Sequence, residues 1–332
     1  MPKMKSGRRS CLLGLGSAAL IAGMPFGRAQ AAGESFPERP VKFVVPYPAG
    51  GGADMAARTV SVPLASLWKQ SVVIDNRTGA GGMIGNEFVS KAPADGYTLL
   101  LGITSMVQWP FLYERLPYDP KKDFMPVAQL GAASNLFVVP SGVRANSVQD
   151  FINLVRAQPG TFSYGSFGNG STSHIQGETF RRQTGLDMVH VPYNGSTPLI
   201  NAVLGGQVSL AFIDVGTAKP LLESGRFKAL AVTGTRRVKS LPQVATLKEL
   251  GFDGFEPYGW WGVFVRSGTP KAIVSKLSTD IVEAMRKPEV VAWFESRDLF
   301  AIGSGSDEFA KTLVTDAAVW EKAIRDSGIR LN

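Results

Sequence analysis

The residues best suited to chemistry in this chain are small, neutral hydrogen-bond donors in loops that follow predicted strands. One such loop separates a β-branched run over Val41–Val45, which predicts a buried strand, from an Ala-rich stretch starting at Asp54, which predicts a helix. Glycine lets a ligand approach the backbone, and free N–H groups at a helix start attract anions. The loop therefore predicts a carboxylate or phosphate site, unless it only turns the chain. Its residues are Tyr47, Pro48, Ala49, Gly50, Gly51 and Gly52.

Asp54 is predicted to cap this helix, because aspartate is a preferred N-cap residue and a carboxylate aimed at an anionic ligand would repel it. Further donors follow two later strands. Thr104 and Ser105 stand at the carboxyl end of a predicted strand, where open α/β sheets bind ligands. The loop from Gly165 to Thr172 opens a predicted helix, and we expect the Ser171 and Thr104 hydroxyls to donate to a bound carboxylate.

The same region offers a weaker catalytic alternative, a hydrolase that uses Ser166 or Ser171 with His174 and Asp214. The sequence around Ser166 lacks the G-x-S-x-G pattern of a nucleophile elbow. Beyond residue 31 the chain has two histidines and no cysteine, so neither a metal site nor a thiolate nucleophile is predicted. The glycine loop at 79–85 has Ile84 in place of the third glycine of G-x-G-x-x-G, which disfavours a nucleotide site. We therefore expect no cofactor and no metal.

The predicted elements that position these loops form two α/β lobes. Strands and helices alternate from Val41 to Leu101, which predicts a parallel sheet. A second unit of the same kind follows, while residues 108–124 predict an irregular connection. The helices after Thr269 have no evident sheet of their own, and we expect them to pack on the first lobe. The predicted crossings between lobes are Val127–Leu130 with Asn135–Pro140, and Trp260–Val265.

Residues 1–31 predict a cleaved signal peptide. Basic residues precede an apolar run, Cys11–Met24, that is too short to span a membrane, and Ala29-Gln30-Ala31 has the A-x-A pattern of a cleavage site. The pair Arg8-Arg9 leaves Sec and Tat export both open. We therefore expect a periplasmic protein.

The charge that remains after cleavage is small. The chain carries a formal charge of +8, but five of its basic residues and none of its acidic ones lie in residues 1–31, which leaves +3. This value gives no support for binding to nucleic acid or to a membrane surface. Many neutral donors and little acid–base chemistry favour a binding protein over an enzyme.

The motifs taken together resemble the Bug family, the solute receptors of tripartite tricarboxylate transporters, over nearly all of Phe36–Asn332. One difference lies at residues 241–246, where the chain reads Leu-Pro-Gln-Val-Ala-Thr and the family reads closer to Leu-Pro-Asp-Val-Pro-Thr. The segments that carry the resemblance are Pro37-x-Arg39-Pro40, residues 45–54, Asn76-Arg77 with Gly79–Gly82, Ala94–Leu99, the run from Gly165 to His174, and Val191–Tyr193.

The resemblance implies an α/β fold of the type II periplasmic-binding, or Venus-flytrap, kind, with a ligand cleft between two lobes. Residues 32–136 with 262–332 would form lobe 1, and residues 137–261 lobe 2. By the family's pattern the cleft would be faced by the loops at 47–52, 104–105 and 166–172, with Asn169 and Gly170 among them, and by Asn194 and Asp214. The full set of expected ligand-binding residues adds to the first loop Thr104, Ser105, Ser166, Asn169, Gly170, Ser171, Thr172, Asn194 and Asp214.

The implied ligand is a small carboxylate, either a dicarboxylate or an aromatic acid. The implied partners are the membrane permease subunits of the transporter, with the receptor itself a monomer. Two alternatives stay open at this point: the secreted hydrolase described above, and a sensory receptor that presents its ligand to a signalling protein.

Overall fold

Two β-sheets, each covered by helices on both faces, organise the chain. The computed structural model describes residues 36–255 and 258–331, so the predicted signal peptide lies outside the described residues. In this part of the chain no helix is long and apolar enough to cross a membrane.

The first sheet has six strands in the order β11-β4-β10-β3-β1-β2. β1 pairs in parallel with β2 and β3, whereas β10 lies antiparallel between β3 and β4. The predicted first strand is confirmed residue for residue. The strands are β1 (Val41–Val45), β2 (Val72–Asn76), β3 (Thr98–Ile103), β4 (Phe124–Ala133), β10 (Gly259–Arg266) and β11 (Phe300–Gly305).

The second sheet repeats this arrangement with five strands in the order β7-β6-β8-β5-β9. β6 pairs in parallel with β7 and β8, and β5 lies antiparallel between β8 and β9. In each sheet, the first strand that follows a crossing from the other sheet therefore lies antiparallel to both of its neighbours. The strands are β5 (Asn135–Pro140), β6 (Phe162–Ser166), β7 (Met188–Pro192), β8 (Leu210–Asp214) and β9 (Phe227–Val232).

The helices fill the layers on either side of the sheets. Residues 108–124, predicted to be irregular, include most of helix α3, which accommodates Pro110 in its interior. The ten α-helices of the described residues are α1 (Gly52–Trp68), α2 (Met83–Ser90), α3 (Ser105–Leu112), α4 (Val148–Ala157), α5 (Thr172–Thr184), α6 (Ser196–Leu204), α7 (Val215–Glu223), α8 (Lys271–Met285), α9 (Pro288–Glu295) and α10 (Ser306–Ser327).

Alternation along the strands builds a core on each face of both sheets. In β3, Leu99 and Leu101 enter one core of the first lobe while Leu100 enters the other. In β5, Phe137 and its neighbour Leu136 divide between the two cores of the second lobe in the same way. Helices α8 and α10 pack on the first sheet, as the sequence predicted. Parallel sheets need such cover on both faces, which explains the nearly continuous apolar runs.

The chain passes from the first sheet to the second at Ser134, between β4 and β5, and returns between β9 and β10. The boundary predicted at 136/137 falls inside β5, which belongs to the second sheet from Asn135 onward. The boundary predicted at 261/262 falls inside β10, which pairs with β3 and β4 from Gly259 to Arg266. Trp260 and Trp261 therefore belong to the first sheet rather than to the second.

Candidate ligand-binding cleft

A cavity between the two lobes collects the starts of five helices. Within the described residues, the N-cap residues of α1, α3, α5, α6 and α7 all line it. The first N–H groups of a helix lack partners inside the helix, and the helix dipole places partial positive charge at this end. An anion in the cavity therefore meets backbone donors from several directions. The five caps are Gly51, Thr104, Ser171, Gly195 and Asp214.

The predicted ligand-binding residues divide into two groups. Those that line the cavity are Tyr47, Pro48, Gly51, Gly52, Thr104, Ser171, Thr172 and Asp214. Those that do not line it are Ala49, Gly50, Asn169 and Asn194, which are exposed, and Ser105, Ser166 and Gly170, which are buried within the lobes.

Asp54 supports the first loop (residues 47–52) from within the lobe and does not cap α1. The N-cap is Gly51, which has no side chain to cap with, and Asp54 is a buried residue in the first turn. The Asp54 carboxylate accepts hydrogen bonds from Gly50 N at 2.9 Å, Arg58 Nε at 2.8 Å and Asn76 Nδ2 at 2.9 Å. Although burial raises the pKa of Asp54, these bonds lower it overall, so the group stays ionised. The prediction of an Asp54 cap was wrong.

This arrangement leaves the start of α1 open. The N–H groups of Gly52 and Ala53, at the first two helical positions, have no hydrogen-bond partner among the described residues. Both residues line the cavity. The first N–H groups of α1 therefore stay available, because the Asp54 carboxylate that fixes the first loop accepts a hydrogen bond from Gly50 N instead.

Two hydroxyls of the first lobe line the cavity: that of Tyr47 in the first loop and that of Thr104. Thr104 Oγ1 accepts a hydrogen bond from Trp260 N at 2.9 Å, which leaves its own proton available to the cavity. Burial raises the pKa of Tyr47, and the neighbouring Ser105 hydroxyl partly offsets this rise. Ser105 Oγ itself has no hydrogen-bond partner among the described residues. Tyr47 is therefore a neutral donor at neutral pH.

Most hydrogen-bond donors of the second loop (residues 165–171) are paired with groups of the loop itself or of the start of α5. Phe167 N donates to Ser173 Oγ at 2.9 Å, and Gly170 N donates to His174 Nδ1 at 3.1 Å. Ser171 caps α5 by accepting from His174 N at 3.3 Å, and its hydroxyl donates to the backbone carbonyl of Gly168 at 2.7 Å. The predicted Ser171 donor is thus already committed within the loop.

Two stacked histidines lie beneath the second loop. The His174 and His190 rings are parallel within 9° at a centroid distance of 3.9 Å, and Tyr164 stacks on His190. Burial lowers the pKa of His174 to about 4, with a partial offset from Glu178, and burial together with His174 lowers the pKa of His190 to about 3. The pair is neutral at neutral pH.

The triad drawn for a hydrolase does not assemble. Ser166 Oγ lies 2.7 Å from His190 Nε2, not beside His174, and Ser166 is fully buried. Its hydroxyl also contacts the backbone of Gly168. Asp214 lies in the cavity as the cap of α7, where its Oδ1 accepts from Thr217 N. Within residues 36–255 and 258–331, no group of three or more His, Cys, Asp and Glu side chains is placed to hold a metal ion.

Contacts between the lobes hold the cleft closed on two sides. Beside the second loop, Trp109 Nε1 of the first lobe donates to the carbonyl of Gly170 at 3.0 Å, and Gln108 Nε2 donates to Thr172 Oγ1 at 3.1 Å. On another side, Lys219 of the second lobe forms an ion pair with Asp298 of the first at 2.8 Å. The second loop therefore also serves as a docking point for the first lobe.

Sequence reasoning missed part of the cavity wall. Asn135 lies at the start of β5, opposite Asp214 in the sheet. The segment Trp260–Val265, which carries the two tryptophans of β10, was predicted only as a crossing between lobes. Only the crossing of strands between lobes brings these residues to the cleft, and no local motif signals it. Phe167 belongs to the predicted loop 166–172 but was not singled out, and the missed lining residues are Ala53, Ile103, Ala133, Asn135, Gly195, Ser196, Gly259, Trp260 and Trp261.

Known proteins are similar to this chain in both sequence and architecture. The model of the tripartite tricarboxylate transporter family receptor, TctC, matches residues 56–329. Protein BugT of Bordetella pertussis is 31% identical over 300 residues, which cover 90% of this chain and 92% of BugT. The structure of R. palustris Rpa4515 with adipate is 34% identical with a TM-score of 0.85, over 89% of this chain and 99% of that one.

A further structure, MatC from Rhodopseudomonas palustris with bound malate, is 29% identical with a TM-score of 0.83, over 87% of this chain and 100% of that one. These similarities confirm the predicted two-lobe periplasmic-binding-protein fold. They also confirm the resemblance that the motifs indicated. The chain belongs to the family of tripartite tricarboxylate transporter receptors.

Proposed function

We propose that this protein captures a small carboxylate in the cleft between its lobes and delivers it to the permease subunits of a tripartite tricarboxylate transporter. The observation that carries this proposal is the convergence of five helix starts on one cavity whose lining, among the described residues, includes no basic side chain. Backbone dipoles then supply the attraction for an anion that arginine or lysine supplies elsewhere. The adipate and malate bound to two similar proteins support the same ligand class.

The cavity also suits the rest of such a ligand. Apolar and aromatic surfaces of Ile103, Phe167 and Trp261 lie between the polar helix starts. A methylene chain or an aromatic ring would bury its apolar area there, while its carboxylate meets the N–H groups of Gly52 and Ala53 and the Thr104 hydroxyl. The seven predicted residues that do not line the cavity would act by shaping the loops.

A thermal-shift screen across dicarboxylates, tricarboxylates, aromatic acids and amino acids tests the ligand class. A true ligand at 100 times its Kd should add about 2.7 kcal/mol to the free energy of unfolding. Calorimetry on the hits should then give one site per chain. The proposal fails if no carboxylate stabilises the protein while a neutral solute or a nucleotide does.

We further propose that the ligand is bound without turnover. Ser166 is fully buried and its hydroxyl is held by the second loop, so it has no access to a substrate carbonyl. Purified protein should return bound esters and carboxylates unchanged by mass spectrometry. Ester cleavage that Ser166→Ala or Ser171→Ala abolishes, with folding retained, would establish the hydrolase instead.

The site of action is proposed to be the periplasm. Mass spectrometry of periplasmic protein should show an N-terminus near Ala32, whereas retention of residues 1–30 would contradict cleavage. Uptake of labelled ligand should require both this protein and the permease. A purely sensory receptor would leave uptake intact when the gene is deleted.

A further inference from the structure

One of the five helices that start at the cleft differs from the others in the charge of its cap. Gly51, Thr104, Ser171 and Gly195 are neutral, whereas α7 is capped by Asp214. Asp214 is 8% exposed, and its Oδ1 accepts a hydrogen bond from Thr217 N at 2.9 Å. A carboxylate therefore lines the wall of a cavity whose other helix starts favour anions.

The second oxygen of this carboxylate faces the start of α1 from across the cleft. A Cβ atom added at Gly52 would lie 3.7 Å from Asp214 Oδ2 and 3.6 Å from the Trp261 ring. Gly52 is the first residue of α1, so an anion held at this helix start would be a neighbour of Asp214. Two carboxylates in one site are unfavourable when both are ionised, unless a cation or a shared proton lies between them.

No cation is available for this purpose in the described part of the chain. Tyr47 and Asp214 are the titratable residues of the cavity wall, and none is basic. Burial raises the pKa of Asp214, which hydrogen bonds from Thr217 offset only in part. The charged side chains on the surrounding elements are engaged away from Asp214: Lys219 with Asp298, Arg297 over the ring of Trp293, and Arg58 with Asp54.

We propose that Asp214 selects the ligand by accepting a hydrogen bond from it. A molecule with one carboxylate and a separate donor, such as a hydroxyl, an amide or an ammonium group, binds directly. A fully ionised dicarboxylate binds together with one proton from solvent, which is held between its carboxylate and Asp214 while no covalent bond of the ligand changes. The inference rests on the proposed carboxylate function. It adds that the part of the ligand facing Asp214 must donate a hydrogen bond.

The matched variant is Asp214→Asn, because asparagine caps a helix as well as aspartate and keeps the oxygen that accepts from Thr217 N. Calorimetry with adipate in buffers of different ionisation enthalpy measures proton uptake, and titrations from pH 6 to 8 measure Kd. The wild type should take up one proton, so its Kd should weaken about tenfold per pH unit above the pKa of Asp214. Asp214→Asn should take up none and change its Kd less than about twofold over this range.

A second comparison needs no variant. Adipamate carries an amide in place of one carboxylate, so the wild type should bind it without proton uptake. Asp150→Asn, which removes an exposed carboxylate from the first turn of α4, should match the wild type with both probes. Equal proton uptake in the wild type and Asp214→Asn, or a wild-type Kd for adipate that is independent of pH, would overturn the proposal. Failure of every carboxylate in the thermal-shift screen to bind would overturn the carboxylate function itself, and this inference with it.

Discussion

The first and second loops look alike in sequence, since each is a glycine-rich turn between a strand and a helix, yet they use their hydrogen bonds differently. The first loop has a glycine N-cap and is fixed from within the lobe by Asp54, so the first N–H groups of α1 stay free. The second loop is fixed by its own serines and by His174, which occupy its N–H groups. Its carbonyls at Asn169 and Gly170 accept bonds from the first lobe.

This difference shows that a glycine loop before a helix is an anion site only when other groups hold the loop in place. In the second loop, hydroxyls compete with any ligand for the same backbone donors. We therefore expect substitutions in the first loop to act on ligand affinity. Substitutions in the second loop should act first on stability and on contact between the lobes.

Gly51→Val gives the largest expected effect. The backbone of Gly51 has φ −76° and ψ 166°, which any residue adopts, but its Cβ would lie 3.0 Å from Ser196 Oγ of the second lobe. The added side chain blocks both lobe closure and the approach of ligand to α1. Calorimetry should show affinity weaker by about 100-fold, or about 2.7 kcal/mol, with the melting temperature of the unliganded protein nearly unchanged.

A smaller pair of substitutions identifies the cause of this loss. Gly51→Ala should weaken binding about tenfold, and adding Ser196→Ala, which removes the opposing oxygen, should recover most of it. Wild-type affinity in Gly51→Val would mean that the first loop only turns the chain, and the contrast between the loops would disappear.

Acid should weaken the second lobe through the stacked histidines. Because burial lowers the folded-state pKa of His174 to about 4, below the unfolded value near 6.5, the unfolded state binds more protons between these pH values. The free energy of unfolding should therefore fall as pH drops from 6.5 towards 4, by up to about 1.4 kcal/mol per pH unit for one histidine, or about 2 kcal/mol at pH 5.

Urea unfolding at several pH values measures this slope. His174→Asn keeps an acceptor near the position of Nδ1 for Gly170 N. The variant should be less stable than the wild type at pH 7.5, and its free energy of unfolding should depend less on pH. The affinity at pH 7.5 should change less than in Gly51→Val. A slope identical to that of the wild type would show that other groups govern the acid response.

The sequence could predict the elements with strong local signals and missed those that depend on distant partners. The buried strand Val41–Val45 and the helix that follows the second loop lie where their patterns predict. Helix α3 was missed because Pro110 and its aromatic neighbours hide the period, and it forms by packing against α10. Strand β11 was missed because its edge position beside β4 leaves it half-exposed, without a continuous apolar run.

The site shows the same limit. Glycine and hydroxyl residues marked the regions in which α1 and α5 begin, but the sequence could not tell which donors would stay free. Asp54 was assigned to the cap because its type and position fit, while Arg58 and Asn76, which hold it elsewhere, are visible only in the folded lobe. Trp261 reaches the cleft through pairing between β10 and β3, a contact across more than 150 positions of the chain.

Ser171→Ala carries the smallest expected effect and separates the two loops most directly. Its hydroxyl caps α5 and donates to Gly168, so its loss should cost about 1 kcal/mol of unfolding free energy and weaken ligand binding by only about threefold. Ser147→Ala is the matched control, because Ser147 caps α4 by the same bond, from Asp150 N at 3.0 Å, and does not line the cleft. Ser147→Ala should lower the free energy of unfolding by a similar amount and leave the ligand affinity unchanged. A tenfold or larger loss of affinity in Ser171→Ala alone would mean that its hydroxyl donates to the ligand, so the second loop would hold the anion as directly as the first.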